Sequence, residues 1–287
     1  MGRLTQPYRH GQPAPSTLLQ LRRQLATAIG RYPRHAEVET SYRQWGGVRC
    51  LVLTPPRVEV RLLYFHGGGF RIGSPELSAG FASLLAVYNH CEVILPFYSL
   101  APERPFPCGL LDGQSVLESV RDTLPLLIGG DSAGGNLAAV LARHFWRRVQ
   151  GAILISPWLD LRLTADSYQR NAQQDSVFSP QAAREAADLY LQGHTANDPD
   201  VSPLLARLNT MPPCCLCVGG GEILLDDALA LGTRLAQQGR TVALRVWPDM
   251  VHVEPTTRPT SPHLDSVLAF VAPFIRECLD GKQEKVL

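Results

Sequence analysis

A serine lies between glycines at minus two and plus two in Gly130-Asp131-Ser132-Ala133-Gly134-Gly135-Asn136. The apolar residues 124–128 precede this stretch and the apolar residues 137–142 follow it, so it reads as strand, tight turn and helix. A serine on so sharp a turn must take a strained backbone conformation, tolerated only where its neighbours are small. Its Oγ is then pushed out at the top of a sheet. The first N–H groups of the following helix, and the positive end of its dipole, point at the same spot and suit an oxyanion. The stretch has the form of a nucleophile elbow.

Around the elbow, apolar strands alternate with helices. Residues 37–53 read as a hairpin turning at Trp45-Gly46-Gly47-Val48, stopped by Pro55-Pro56. Strands follow at 58–65, 91–97, 124–129, 149–155, 214–218 and 242–247, with helices at 76–89, 109–121, 226–238 and 261–279. The final helix has Pro262 in its first turn and a kink expected at Pro273. Strands separated by helices of this length need crossover connections. The expected fold is therefore α/β, a mostly parallel central sheet with helices on both faces and an antiparallel edge from the hairpin. Residues 160–205 break the rhythm: no strand is read there, but a helix over 180–191 with Ser179 as its cap. Ser16 is expected to cap a further amphipathic helix carrying Leu18, Leu21, Leu25 and Ile29 at helical spacing. An insertion at this end of an open α/β sheet lies where ligands bind, so residues 160–205 and about 1–35 are expected to form a cap on one domain spanning 1–287.

Composition excludes several classes. A net charge of +1 with no long block of one sign speaks against nucleic-acid or acidic-membrane partners. The first residues show no apolar core or cleavage site, Gln6 spoils a myristoylation pattern, and no apolar run reaches membrane-spanning length. A soluble, cytoplasmic protein is expected. Seven cysteines are an odd number, which rules out complete disulfide pairing. Cys214, Cys215 and Cys217 fall in an apolar strand without a second Cys pair, and read as buried small hydrophobes rather than metal ligands. No metal is expected.

A serine hydroxyl needs a base to take its proton and an acid to orient that base. If the elbow is that of an α/β-hydrolase, which it resembles, the partners follow in the order acid, then histidine. His144, His194, His252 and His263 come after Ser132, and of these His252 alone directly follows a strand, on the edge where Ser132 emerges. The acid is expected after the strand over 214–218. Glu222 is the first carboxylate there, and Asp226 is the alternative about one turn further on. For the oxyanion, Ala133 offers one N–H. The run His66-Gly67-Gly68-Gly69, directly after a strand, offers others at Gly68 and Gly69. His66 reads as a structural hydrogen-bonding residue of the glycine loop.

These segments resemble the hormone-sensitive lipase family of α/β-hydrolases, the bacterial esterases with an H-G-G-G motif. The likeness rests on His66-Gly67-Gly68-Gly69-Phe70, on Tyr98-Ser99-Leu100-Ala101-Pro102-Glu103-Arg104-Pro105-Phe106-Pro107 and on the elbow. It continues through Ser156-Pro157-Trp158-Leu159-Asp160, Asp200-Val201-Ser202-Pro203-Leu204 and Trp247-Pro248-Asp249-Met250-Val251-His252. It implies an α/β-hydrolase fold with an α-helical cap and cofactor-free hydrolysis of carboxylic esters, usually with short acyl chains. By position Ser132, Glu222 and His252 correspond to the family's triad. The family's usual aspartate, in a D-P-L-x-D pattern, is here a glutamate, in Glu222-Ile223-Leu224-Leu225-Asp226. The partner expected is a small-molecule ester, and a homodimer through the last strand and helix is open by analogy. Open from the sequence alone are amide or thioester hydrolysis by the same machinery, and a non-catalytic small-molecule receptor on the same scaffold.

Overall fold

The computed structural model describes residues 4, 6–121 and 124–280. Of the amino-terminal stretch expected to be part of a cap, residues 1–3 and 5 lie outside the described residues. Eight strands form one sheet in the order β1-β2-β4-β3-β5-β6-β7-β8. β1 (Glu39–Trp45) and β2 (Val48–Thr54) are the hairpin, closed by Gly46 and Gly47 at φ 58° and 82°. Two consecutive left-handed residues match the twist of the flanking strands, which is why two glycines stand there. β2 runs antiparallel to β4 (Cys91–Pro96), and from β4 onward all neighbours are parallel: β3 (Val60–Phe65), β5 (Leu126–Asp131), β6 (Val149–Ile155), β7 (Cys214–Gly219) and β8 (Val242–Trp247).

The inner strands are apolar on both faces because both faces are covered. Leu63 and Phe65 of β3 pack with Leu137 and Leu141 of α4 (Ala133–His144) and with α3 (Cys108–Ser119), whereas Leu62 and Tyr64 pack with Phe81 and Leu85 of α2 (Pro75–Tyr88). The alternation explains the cysteines of β7. Cys214 faces the first cluster and Cys215 and Cys217 the second, all as buried free thiols. Leu231 and Leu235 of α7 (Leu225–Gln237) join the first cluster, and Val271 and Phe274 of α9 (Leu264–Asp280) the second, with Pro273 inside α9. No helix among the described residues is long and apolar enough to cross a membrane.

Outside the sheet stand α1 (Ser16–Ala26), α5 (Ser167–Arg170), α6 (Pro180–Leu191) and α8 (Glu254–Thr257); Ser16 is not the cap of α1 but its first residue, after Pro15, and no side chain caps that end. Ser179 Oγ accepts the Ala182 N–H at 3.2 Å, the expected cap of α6. The last helix begins at Leu264 rather than Ser261. Ser261 Oγ instead takes the His263 N–H at 3.1 Å and Ser261 O the Leu264 N–H at 3.2 Å, closing a turn before the helix.

Candidate active site

The parallel strands end together at one edge, and the site is built there. Ser132 joins β5 to α4 at φ 52°, ψ −119°, a conformation that L residues rarely hold. It is pinned on both sides. Its N–H donates to Ile155 O at 3.0 Å, and its carbonyl accepts from Trp158 N–H at 3.0 Å and Asn136 N–H at 3.2 Å. The glycines around it are required by contact. A Cβ on Gly130 would lie 2.5 Å from Gly134 O, and one on Gly134 2.0 Å from Phe65 O. Gly134→Ala is accordingly expected to force α4 off β3 and lower stability by about 1–3 kcal/mol or more. Urea denaturation checks this, and esterase turnover should fall with it.

His252 sits on the loop after β8 with Nε2 3.0 Å from Ser132 Oγ and Nδ1 2.8 Å from Glu222 Oε2. All three side chains are buried. Glu222 is held by its other oxygen, which accepts the Gly219 N–H at 2.5 Å and the Ser156 hydroxyl at 2.7 Å. The chain can double back here only because Gly219 has no side chain: its Cβ would meet Met250 O at 2.0 Å. Asp226 faces elsewhere, accepting from the Ser167 N–H and Arg170 Nη2, both at 2.8 Å. Asp227 is buried against the Leu159 and Asp160 N–H groups at 2.8 and 3.0 Å, and burial pushes its carboxyl up to about 8.

The glycine loop follows β3. The Gly67 N–H donates to Asp131 Oδ2 at 3.0 Å and the Tyr64 hydroxyl to Asp131 Oδ1 at 2.9 Å, tying the loop to the elbow. Burial raises the Asp131 carboxyl to about 6 against these bonds. Gly68 and Gly69 stand at φ 118° and 59° and line the cavity in front of Ser132, while Ala133 is the first residue of α4. The N–H groups of a first helical turn have no acceptor within their helix. His66 is stacked on Tyr98 with ring centres 4.4 Å apart, and burial pushes its imidazole down to about 4. Neutral at pH 7, it bonds Gly67 O through Nδ1 at 2.7 Å, as the structural residue of the loop.

Three contributors escaped the sequence reading. Ser156, at φ 47°, bridges Glu222 and the Val253 N–H (3.3 Å). Asp175 accepts from the Val177 and Phe178 N–H groups at 3.1 and 2.9 Å and from Ile223 N–H at 3.0 Å, fastening the 160–205 segment to the loop that carries Glu222. Phe178 is thereby stacked on the His252 ring at 5.3 Å. An aspartate that bonds the N–H groups two and three residues on is a local turn pattern, so Asp175-Ser176-Val177-Phe178 held a readable signal.

A cavity of about 430 Å³ opens on Ser132 and His252, walled by Leu21 and Leu25 of α1 and by Val177, Phe178 and Ala182 of the 160–205 segment. A serine bonded to an imidazole that is bonded to a buried carboxylate, beside a glycine loop and at the start of a helix, is chemically equipped for acyl transfer.

Comparison with known proteins agrees. A family profile described as alpha/beta hydrolase fold matches residues 62–255. An acetyl-hydrolase of Streptomyces hygroscopicus is 32% identical over 232 residues, 77% of this chain and 77% of that protein. An esterase of Acinetobacter venetianus is 30% identical over 254 residues, 85% of this chain and 84% of that protein. The crystal structure of an esterase from the bacterial hormone-sensitive lipase family matches with a TM-score of 0.85 at 33% identity, over 93% of each chain.

Proposed function

The chain belongs to the hormone-sensitive lipase family of alpha/beta hydrolases and is a carboxylesterase, and on that premise we propose that it cleaves short-chain acyl esters through Ser132, His252 and Glu222. The observation that carries the reading is the position of His252, 3.0 Å from Ser132 Oγ on one side and 2.8 Å from Glu222 on the other. Ser132 Oγ attacks the ester carbonyl carbon while its proton passes to His252 Nε2. The oxyanion is held by the N–H groups of Gly68, Gly69 and Ala133, each worth about 2.7–4 kcal/mol in the transition state. The C–O bond to the alcohol then breaks, and His252 delivers the proton to the departing oxygen. Water repeats the sequence on the acyl-enzyme, and Glu222 keeps the imidazole in one tautomer and stabilises its positive charge throughout.

The described residues up to about 35, together with 160–205, form the cap of a single domain, a reading supported by Leu21, Leu25, Val177 and Phe178 in the cavity wall. The limited volume of that cavity, and a relative described as an acetyl-hydrolase, support short acyl chains. Six buried free thiols suit a reducing, cytoplasmic setting. The outer position of β8, half-exposed along most of its length, supports a homodimer through that edge.

Initial rates on p-nitrophenyl esters from acetyl to palmitoyl test the reading. The expected profile is highest kcat/KM at two to six acyl carbons and a fall of about a hundredfold or more at sixteen, where the chain outruns a cavity of this size. A maximum at the long chains would overturn it.

A further inference from the structure

Two residues beyond Gly69, Arg71 forms part of the same cavity wall. A Cβ on Gly69 would lie 3.8 Å from Arg71 Nε, so the guanidinium stem passes directly beside the glycine loop. The side chain is 17% exposed, yet its protein partners are poor: Ala182 O at 3.5 Å from Nη2, and Glu185 Oε2 at 3.8 Å from Nη1. Glu185 is itself 55% exposed, and its Oε1 accepts from Gln181 at 3.0 Å. Neighbouring Arg22 shows what a satisfied guanidinium looks like here. It reaches both oxygens of Glu103 at 2.6 and 3.0 Å, Ala101 O at 2.7 Å and Arg71 O at 2.8 Å. Burial lowers the Arg71 guanidinium from its ordinary value, and the Glu185 charge restores only part of the loss. A guanidinium nonetheless stays charged in a protein.

The rest of the wall does not compensate it. Among the described residues that line the cavity, Arg71 is the one lysine or arginine, and the carboxylate of Asp131 already holds Tyr64 and Gly67. Much of the remainder is apolar, as at Leu21, Leu25 and Val177. A largely apolar cavity with one under-neutralised, partly desolvated cation is complementary to an ester that has a hydrocarbon body and an acidic end. We propose that Arg71 determines specificity by binding a carboxylate on the substrate, so that esters bearing a free carboxylate group are the preferred substrate class. The inference deepens the esterase reading and rests on this cavity being the ester site.

The test compares matched pairs on wild type, Arg71→Gln and Arg71→Lys. Mono-p-nitrophenyl adipate against its methyl ester places the charge on the acyl arm, and 4-acetoxybenzoate against its methyl ester places it on the alcohol arm. The expected result is that the charged-to-neutral ratio of kcat/KM, on at least one arm, falls about tenfold or more in Arg71→Gln and less in Arg71→Lys, as loss of a charge-assisted bond requires. Equal loss on charged and neutral esters, or an unchanged ratio on both arms, would overturn the proposal. A binding arm needs no turnover. Monomethyl adipate should raise the melting temperature of Ser132→Ala, and the shift should vanish on adding Arg71→Gln. An equal shift in both proteins would overturn the anion site even if the esterase reading stands. Conversely, failure of wild type on all four esters, with that shift intact, would count against the esterase reading and not against the anion site.

Discussion

Replacing Ser132 by alanine is expected to lower kcat on p-nitrophenyl butyrate by about 10⁴–10⁶-fold, with KM changed little. The hydroxyl supplies the atom that becomes covalently bonded, so nothing else in the site can substitute for it. The residual rate would come from the oxyanion donors and from positioning of the ester. The fold should be nearly indifferent to the change. The Ser132 side chain makes no capping bond to α4, and alanine keeps the Cβ that the strained turn already tolerates. A parallel melting curve checks that point. Because serine and histidine act as one unit, Ser132→Ala with His252→Ala should be little worse than either alone. Additive losses in the double variant would mean that the two side chains do not share a proton.

Glu222→Gln is expected to cost about 10⁴-fold in kcat. The amide is nearly the same size and retains an oxygen for the Gly219 N–H and the Ser156 hydroxyl, so the loop should keep its form. Its NH₂ now faces His252 Nδ1, where it favours the tautomer that puts a proton on Nε2, the nitrogen that must accept one from Ser132. The pH profile carries a second, independent signature. Burial by itself lowers the His252 imidazole, but the hydrogen bond and charge of Glu222, joined by the charges of Asp175 and Asp131, outweigh it and hold the group above its usual 6.5. A general base works in its neutral form. The kcat/KM of the wild type should therefore fall as the pH drops through a midpoint above 6.5, and removing Glu222 should move that midpoint to lower pH. A loss confined to Asp226→Asn, with Glu222→Gln near wild type, would transfer the acid role to the carboxylate one turn further on.

The positions most legible in the sequence were those that a strand end dictates. Ser132, His252 and Glu222 each follow a strand whose apolar run is plain, and the parallel order brings those ends to one edge. The choice between Glu222 and Asp226 was open because four residues of separation fix no direction. It is the Gly219–Met250 approach, a contact between distant segments, that turns Glu222 inward, while Ser167 and Arg170 draw Asp226 outward. The role of Ser156 was not readable for the same reason: it exists only once β6 and the His252 loop are neighbours. The short helices Ser167–Arg170 and Glu254–Thr257 have too few residues to show a period. In the last helix, Ser261 and Pro262 resembled a helix start, but the serine closes a preceding turn. Arg71 could not be singled out at all, since its long contacts to Ala182 and Glu185 exist only once the glycine loop and α6 are neighbours.

The most direct test of the account is covalent trapping with diethyl p-nitrophenyl phosphate, followed by peptide mass spectrometry. The phosphoryl group should be transferred to Ser132 Oγ, with the serine proton taken up by His252 and one equivalent of p-nitrophenolate released per chain. One diethylphosphoryl adduct is expected, on the peptide containing Ser132, in step with loss of esterase activity, and none in Ser132→Ala. Inactivation with the adduct on another residue, or full labelling of Ser132 with esterase activity intact, would contradict it.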